Sequence, residues 1–398
     1  MNETHTNTVN PIVRMIDYLN SHYAFRYNCI TSCTEYRATA SAAESFVPLD
    51  PRSRRRITLE VQREGIEVSK NDIANYIDSD YIRSFDPIGN YLAQCEGVWD
   101  GHDHIADLAA TVHTDAPLWK QWFKTWLLAM VSQWQNTPGR VYGNSVAPLL
   151  ISPQGFNKST FCRRLLPEEL KWGYTDSLDL GQRRQVMLAM TQQLLINIDE
   201  FNQISPRLQQ GFLKNIIQLP TVKAKRPYGD RQEDLPRRAS FIATSNMTDI
   251  LADPSGNRRF IGIELTEPID VSRMPNHRQI FAQALQMLRH GERSWFNKAE
   301  TQQIMQWNRR YEILEPAEQY FRMFFTPVDN YDDKAAEWLS AAEIFDVIKQ
   351  KVGTSLKVTS LMSFGRKLAN MDGMRRKRFE VCAKYWVKRV GGCVKSRR

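Results

Sequence analysis

Lys158 and Ser159 follow the apolar run Leu149–Ile151 across the short stretch Ser152-Pro153-Gln154-Gly155-Phe156-Asn157, and Thr160 continues the first turn of a helix. A strand, a turn and a lysine–hydroxyl pair at a helix start are what a nucleoside triphosphate requires. Backbone N–H groups wrap its oxygens, an ammonium meets the β/γ charge, and a hydroxyl takes Mg2+. Ser152, Gln154, Gly155, Phe156, Asn157, Lys158, Ser159 and Thr160 are therefore the candidate phosphate-binding residues. The spacing departs from G-x-x-x-x-G-K-[ST], because Ser152 and Asn157 stand at the glycine positions and Gly155 falls inside. Asparagine tolerates φ > 0 better than other non-glycine residues, so Asn157 can make the turn.

Two further apolar runs end on groups of matching chemistry. Leu194–Ile198 closes on Asp199 and Glu200. A buried strand of this kind delivers its last residues to the carboxyl edge of a parallel sheet, where α/β proteins bind ligands. There Asp199 would hold Mg2+ together with Ser159, and Glu200 would orient or deprotonate the attacking water. The plain alternative is a strand ending in a solvated acidic turn. Ala239–Thr244 ends in Ser245-Asn246, which places an amide to sense a γ-phosphate, although asparagine after a strand also serves as a turn residue. Arg258 and Arg259 close the turn Asp253-Pro254-Ser255-Gly256-Asn257, and such an arginine can stabilise a transferring phosphoryl group from a neighbouring chain. Lys158, Glu200, Asn246, Arg258 and Arg259 form the expected catalytic set.

In this order the fragments resemble a known family. They are Pro153-Gln154-Gly155 with Asn157-Lys158-Ser159-Thr160, the Asp199-Glu200 strand end, Arg226-Pro227-Tyr228-Gly229, Thr244-Ser245-Asn246, and Asp253-Pro254-Ser255-Gly256-Asn257-Arg258-Arg259-Phe260. The chain resembles the virulence-associated protein E (VapE/VirE-like) ATPases, relatives of superfamily 3 helicases within the AAA+ class, found on phages, phage satellites and other mobile elements. The resemblance covers residues 115–270 firmly and the flanks more loosely. It implies an α/β P-loop NTPase core, ATP and Mg2+ bound between subunits, a homo-oligomer expected as a hexameric ring, and single-stranded or forked DNA as partner. That family usually has glycine where Ser152 and Asn157 stand here, which bears on turnover rather than on nucleotide binding.

These groups need a scaffold. Leu118–Trp134 carries Trp119, Trp122, Phe123, Trp126, Leu127, Met130, Val131 and Trp134 at helical spacing, which predicts a helix packed under the sheet rather than a base-stacking surface. Thr221–Gly229 lies where the resembled helicases carry a pore hairpin, so Lys223, Lys225 and Arg226 are candidate DNA-phosphate contacts. Arg226 or Arg231 reaching the ATP of a neighbouring subunit is the alternative. Ser340–Gln350 and Ser355–Asn370 read as helices, with Arg375–Glu380 and Trp386–Val390 pairing as a wing. A winged-helix-like module follows, in which Arg366 and Lys367 enter a groove and Arg375, Arg376, Lys377 and Arg378 track phosphates.

The front of the chain reads as an α+β accessory region. Tyr23–Ile30 and Thr34–Arg37 predict a hairpin, Ser69 caps a helix, and Arg52–Arg56 is a solvated helix start after Pro51. Asp78-Ser79-Asp80 lies in a polar turn, which argues against a polymerase-type metal centre. The expected division is 1–114 accessory, 115–315 ATPase, 316–337 linker and 338–398 winged helix.

Charge follows that division. Residues 1–116 hold 10 Lys/Arg against 17 Asp/Glu, residues 117–270 hold 19 against 14, and residues 271–398 hold 24 against 13. An acidic front and a basic back place nucleic-acid contact at the back. No apolar stretch reaches the roughly 20 residues of a membrane span, and Met1–Asn10 is polar rather than a signal peptide. Cys29 and Cys33 lack a second ligand pair, and His102 and His104 flank Asp103 in a turn that reads as solvated loop. The expectation is a cytoplasmic, ATP-hydrolysing, helicase-like motor in replication of a mobile element. The alternatives are a nucleotide-dependent assembly switch that unwinds nothing, and a DNA-binding replication factor whose loop is inactive.

Overall fold

Apolar runs that are continuous rather than alternating must be covered on both faces, and the central sheet shows how. The computed structural model describes residues 10–41, 45–136, 143–226, 231–253, 257–313, 316–353, 360–369, 371 and 373–390. Outside them lie Pro227–Asp230 at the expected hairpin tip, Pro254–Gly256 of the arginine turn, residues 355–359 of the second tail helix and Cys393. Strands β5 (Ala147–Ile151), β6 (Tyr174–Thr175), β7 (Leu195–Ile198), β10 (Ser240–Ser245) and β11 (Phe260–Glu264) form one sheet in the order β11-β5-β10-β7-β6. Every pairing in it is parallel.

Successive side chains of a strand point to opposite faces, and here each face has its own core. Leu150, Leu195, Ile242, Ile261 and Ile263 pack into one cluster. Their neighbours Leu149, Ile151, Ile196, Ile198, Phe241 and Ala243 pack into another. The first face is covered by α4 (Pro87–Cys95), α5 (His104–Ala110), α6 (Trp119–Gln135) and α11 (His277–Arg289), with α12 (Lys298–Asn308) beside β11. The second is covered by α8 (Arg183–Gln192) and by α9 (Pro206–Leu208) and α10 (Lys214–Ile216), which flank one π-helical turn at Gln209–Leu213. Helix α7 (Lys158–Arg163) follows β5, and β8 (Thr221–Lys225) pairs with β9 (Gln232–Pro236) as an antiparallel hairpin.

Helix α6 buries twelve of its seventeen residues, so the tryptophan stripe is core. Trp126 is fully buried and donates from its indole N–H to the Phe241 carbonyl at 3.2 Å, tying the helix to the sheet centre. Trp126→Ala removes that bond and leaves a large cavity. It is expected to destabilise the chain by about 3–5 kcal/mol, read as a lower urea midpoint by circular dichroism.

The front unit has its own sheet and core. Strands β1 (Tyr23–Asn28) and β2 (Cys33–Ala38) form the expected hairpin, extended by β3 (Val47–Pro48) and β4 (Ser84–Phe85) in the order β3-β2-β1-β4. Helices α1 (Pro11–His22), α2 (Pro51–Arg63) and α3 (Lys70–Ile77) pack on it through Leu19, Ile57, Val61 and Ile73. Ser69 caps α3 in a reciprocal box with Asp72.

At the far end, α13 (Pro316–Phe324), β12 (Phe325–Pro327), β13 (Ala336–Ser340), α14 (Ala341–Val352), α15 (Leu361–Ala369), β14 (Arg375–Arg378) and β15 (Ala383–Arg389) share a fourth core. Strand β13 pairs with one edge of β15, while β14 and β12 follow one another along the other. The expected 316–337 linker is corrected here, because its first half is structured. Ala317, Phe321 and Phe325 recur four residues apart and are buried against Ile344 and Leu368, so a stripe the acids and Pro327 obscured decides the structure. No helix among the described residues is long and apolar enough to cross a membrane.

Candidate functional site

The loops leaving β5, β7 and β10 meet at the carboxyl edge of the central sheet, which is where crevices form in open parallel sheets. One open cleft of about 350 Å³ is lined by Gln154, Gly155, Phe156, Asn157, Lys158, Ser159 and Thr160 together with Asp199, Glu200, Thr244, Ser245 and Asn246. Ser152 stands just behind it, buried. Asn157 adopts φ 61°, ψ 18° at the N-cap of α7 and Gly155 has φ 83°. The left-handed turn is thus made by asparagine where glycine was the reference residue. The Asn157 side chain adds a brace, donating to the Ile269 carbonyl at 3.0 Å, while the Ile269 N–H donates to Phe156 O at 3.2 Å.

Lys158 is buried, and its ammonium lies within hydrogen-bond distance of four acceptors shared among its three N–H groups: Ser152 O at 2.8 Å, Ser152 Oγ at 2.9 Å, Pro153 O at 2.9 Å and Asn246 Oδ1 at 3.0 Å. All four acceptors are neutral. Burial pushes the ammonium below its ordinary range, and the Asp199 carboxylate pulls the other way. A cation held this way is poised to receive an anion in the cleft.

Asp199 and Glu200 are exposed at the end of β7. Asp199 accepts from the Thr244 hydroxyl, and Glu200 accepts from the Gln203 amide. Glu200 sits at φ 50°, ψ 48°, a left-handed conformation costing a non-glycine residue about 1–2 kcal/mol. Strand β10 joins the other tips: the Ser152 N–H donates to Ser245 O at 3.2 Å, and the Ser245 hydroxyl reaches Met247 O at 2.9 Å. Thr244 stood in a fragment of the family resemblance but was given no role of its own, and Ile269 was not singled out from sequence. A threonine one residue inside a strand end, level with an aspartate just beyond the neighbouring strand, is the signal that points to its bond with Asp199.

The remaining predicted residues lie elsewhere. Arg258 and Arg259 precede β11, and Arg259 O pairs with Ala147 N at the start of β5. They therefore occupy the amino edge of the sheet, a five-residue strand or roughly 17 Å from the cleft of their own chain. Arg258 is exposed; Arg259 is half-buried, donates to Gln218 Oε1 at 2.5 Å, and is lowered from its ordinary range by burial and by Arg258. In the hairpin, Lys223 and Lys225 point outward while Val222 and Ala224 are buried. Arg226 is partnered, to Glu233 at 3.4 Å and to Ser32 Oγ at 3.2 Å. Arg237 anchors the hairpin base: buried, it donates to the carbonyls of Ile217 at 2.6 Å, Ala239 at 2.7 Å and Asn144 at 2.9 Å.

In the last unit Arg366 is exposed, but Lys367 turns inward, 3.6 Å from Glu318 and 3.5 Å from Ile313 O. Arg375 and Lys377 project from one face of β14 and Arg376 and Arg378 from the other, as their partners Trp386, Lys384, Tyr385 and Ala383 dictate. His102 and His104 are bound by Asp107 and Asp100 at 2.6 and 3.0 Å.

Fold and cleft define a mixed α/β protein with a parallel sheet and a cationic–acidic crevice at its carboxyl edge. The chain belongs to the Virulence-associated protein E-like domain family, which matches residues 92–313, more than half its length. A domain of unknown function described from B. Theta (DUF3874) matches residues 315–387. Among solved structures, the A form apo structure of the NrS-1 C terminal region (305-718) is similar at 12% identity and TM-score 0.49, covering 96% of this chain and 100% of that one. A second apo structure of that region is similar at 12% identity and TM-score 0.48, covering 98% and 100%. No curated protein matches the chain.

Proposed function

We propose that the chain is a P-loop ATPase of helicase type that assembles into a ring and acts on DNA in the replication of a phage or other mobile element. The observation carrying this reading is the convergence of Lys158, Ser159, Asp199, Glu200 and Asn246 on one cleft, with the lysine desolvated among neutral acceptors. Lys158 exchanges its contacts with Ser152 and Pro153 for β- and γ-phosphate oxygens of ATP. Ser159 and Asp199 are the residues that would hold Mg2+, whose chemistry is to neutralise charge on the β- and γ-oxygens. Glu200 accepts the proton of the attacking water as the new P–O bond forms and the bond to the β–γ bridging oxygen breaks, leaving ADP and phosphate. Asn246, hydrogen-bonded to Lys158 at 3.0 Å, reports the γ-phosphate to β10. Because Arg258 and Arg259 sit at the opposite edge of the sheet, either reaches phosphate only across a subunit boundary.

The DNA-facing part of the proposal rests on Lys223 and Lys225 of the β8–β9 hairpin and on the basic last unit, read as a winged helix. Electron microscopy with DNA and a non-hydrolysable ATP analogue is expected to show closed rings, and ATP alone is expected to drive strand displacement on a fork. Rings without displacement would replace the motor by an assembly switch. A melting temperature indifferent to saturating nucleotide would remove nucleotide from the account, since ligand at about 100 Kd adds about 2.7 kcal/mol.

A further inference from the structure

The sheet of the last unit has two unlike faces. Leu339, Tyr385 and Val387 turn toward α13, α14 and α15 and are buried. On the other face Trp338 and Trp386 stand opposite each other across β13 and β15, with ring centroids 5.2 Å apart. Tyr331 and Phe379 border them, 56% and 38% exposed, at 6.2 and 5.8 Å from the Trp338 ring. Both indoles are themselves part-exposed. Four adjoining rings at a surface form an apolar patch of the kind that marks an interaction site.

The cations around the patch say what kind of partner it fits. Arg375 lies over the Tyr331 ring at 4.5 Å, and Lys377 and Lys384 lie over Phe379 at 5.8 and 5.6 Å. Strand register puts Arg375 in one row with both tryptophans, and Lys377 beside Lys384 in the next. Arg375 is paired with Asp329 at 3.9 Å and Lys384 with Glu343 at 3.8 Å, long contacts that an anion on the sheet face would compete with. Lysine is depleted from the cores of protein–protein interfaces. Aromatic rings alternating with cations instead match a chain of bases on a phosphate backbone, because every base offers a π-face.

We infer that this outer face is a stacking platform for unpaired bases of single-stranded nucleic acid. Duplex bases present only their edges in the grooves, so flat rings on a sheet discriminate for single strands. The inference rests on the proposed function only in taking nucleic acid as partner, and it differs from groove entry by α15 or phosphate tracking along β14.

The test is fluorescence anisotropy of the full chain, without nucleotide, on an oligothymidylate of about 30 nucleotides, long enough for several stacked bases, and on a duplex of equal length. Trp386→Leu keeps an apolar side chain but removes the π-face, and is expected to weaken single-strand binding about 5- to 100-fold with duplex binding unchanged. Tyr331→Ala, at a more exposed ring, moves in the same direction, and Trp386→Phe restores most of the affinity. Wild-type binding by both loss variants overturns the inference, as does equal loss on single strand and duplex. So does a wild-type dimer that Trp386→Leu dissociates, since the occupant is then a second copy. Nucleotide binding is measured separately by melting shift. Its failure beside intact single-strand stacking sinks the motor reading alone, and the converse result sinks the platform alone.

Discussion

Replacing Lys158 with alanine is expected to abolish nucleotide binding while the parallel sheet stays folded. The ammonium has four neutral oxygens within hydrogen-bond distance, and in the proposed reading the same donor meets triphosphate charge. Hydrogen bonds to charged groups contribute about 1.5–3 kcal/mol each. Losing two of them weakens ATP affinity by at least about 100-fold, and the nucleotide-dependent melting shift vanishes. Removing the lysine deprives the buried Ser152 acceptors of their donor, so the unliganded melting temperature is expected to fall somewhat, and the nucleotide-dependent shift is read against that baseline. A Lys158→Ala chain that still shows the full ATP-dependent shift removes the phosphate assignment.

Glu200→Gln separates binding from chemistry. The amide keeps the shape of the side chain and still reaches Gln203, but it cannot accept a proton from water. General-base loss costs about 100- to 10,000-fold in rate, so turnover is expected to fall by that order while ATP is expected to bind at least as tightly as to wild type. Filter binding with radiolabelled ATP should recover unhydrolysed nucleotide from the variant. Undiminished phosphate release would transfer the role of base away from Glu200.

Strands β5, β7 and β10 were legible because burial on both faces leaves short, mostly apolar runs, broken in β7 only by Asn197, and each run leads into residues that line the cleft. Strand β11 was not, because Gly262 breaks its run. The structure explains the glycine: a Cβ there would lie 2.2 Å from the Tyr311 ring, a contact between residues forty-nine positions apart in sequence that no local pattern shows. Strand β6 has two residues and borrows its geometry from β7. The tryptophan stripe was legible as core for the opposite reason, since its spacing is helical and nearly unbroken. Helix α13 was obscured by composition, acids and proline reading as solvent while Ala317 and Phe321, with Phe325 just beyond the helix, decided otherwise. The inward turn of Lys367 toward Glu318 depends on where α15 meets α13, a tertiary matter.

The turn joining β1 to β2 is wedged into the body of the protein. Ile30 is buried in the core beneath the central sheet, Thr31 O accepts from Gln192 of α8 at 3.2 Å, and Ser32 accepts from Arg226 at the hairpin. Front sheet and hairpin are thereby coupled in series, like a lever with its fulcrum at residues 30–32. In the proposed motor, any stroke of the hairpin along a strand would have to carry the acidic front unit with it or first unseat that wedge, so that the amino-terminal sheet would act as a mechanical component rather than an appendage.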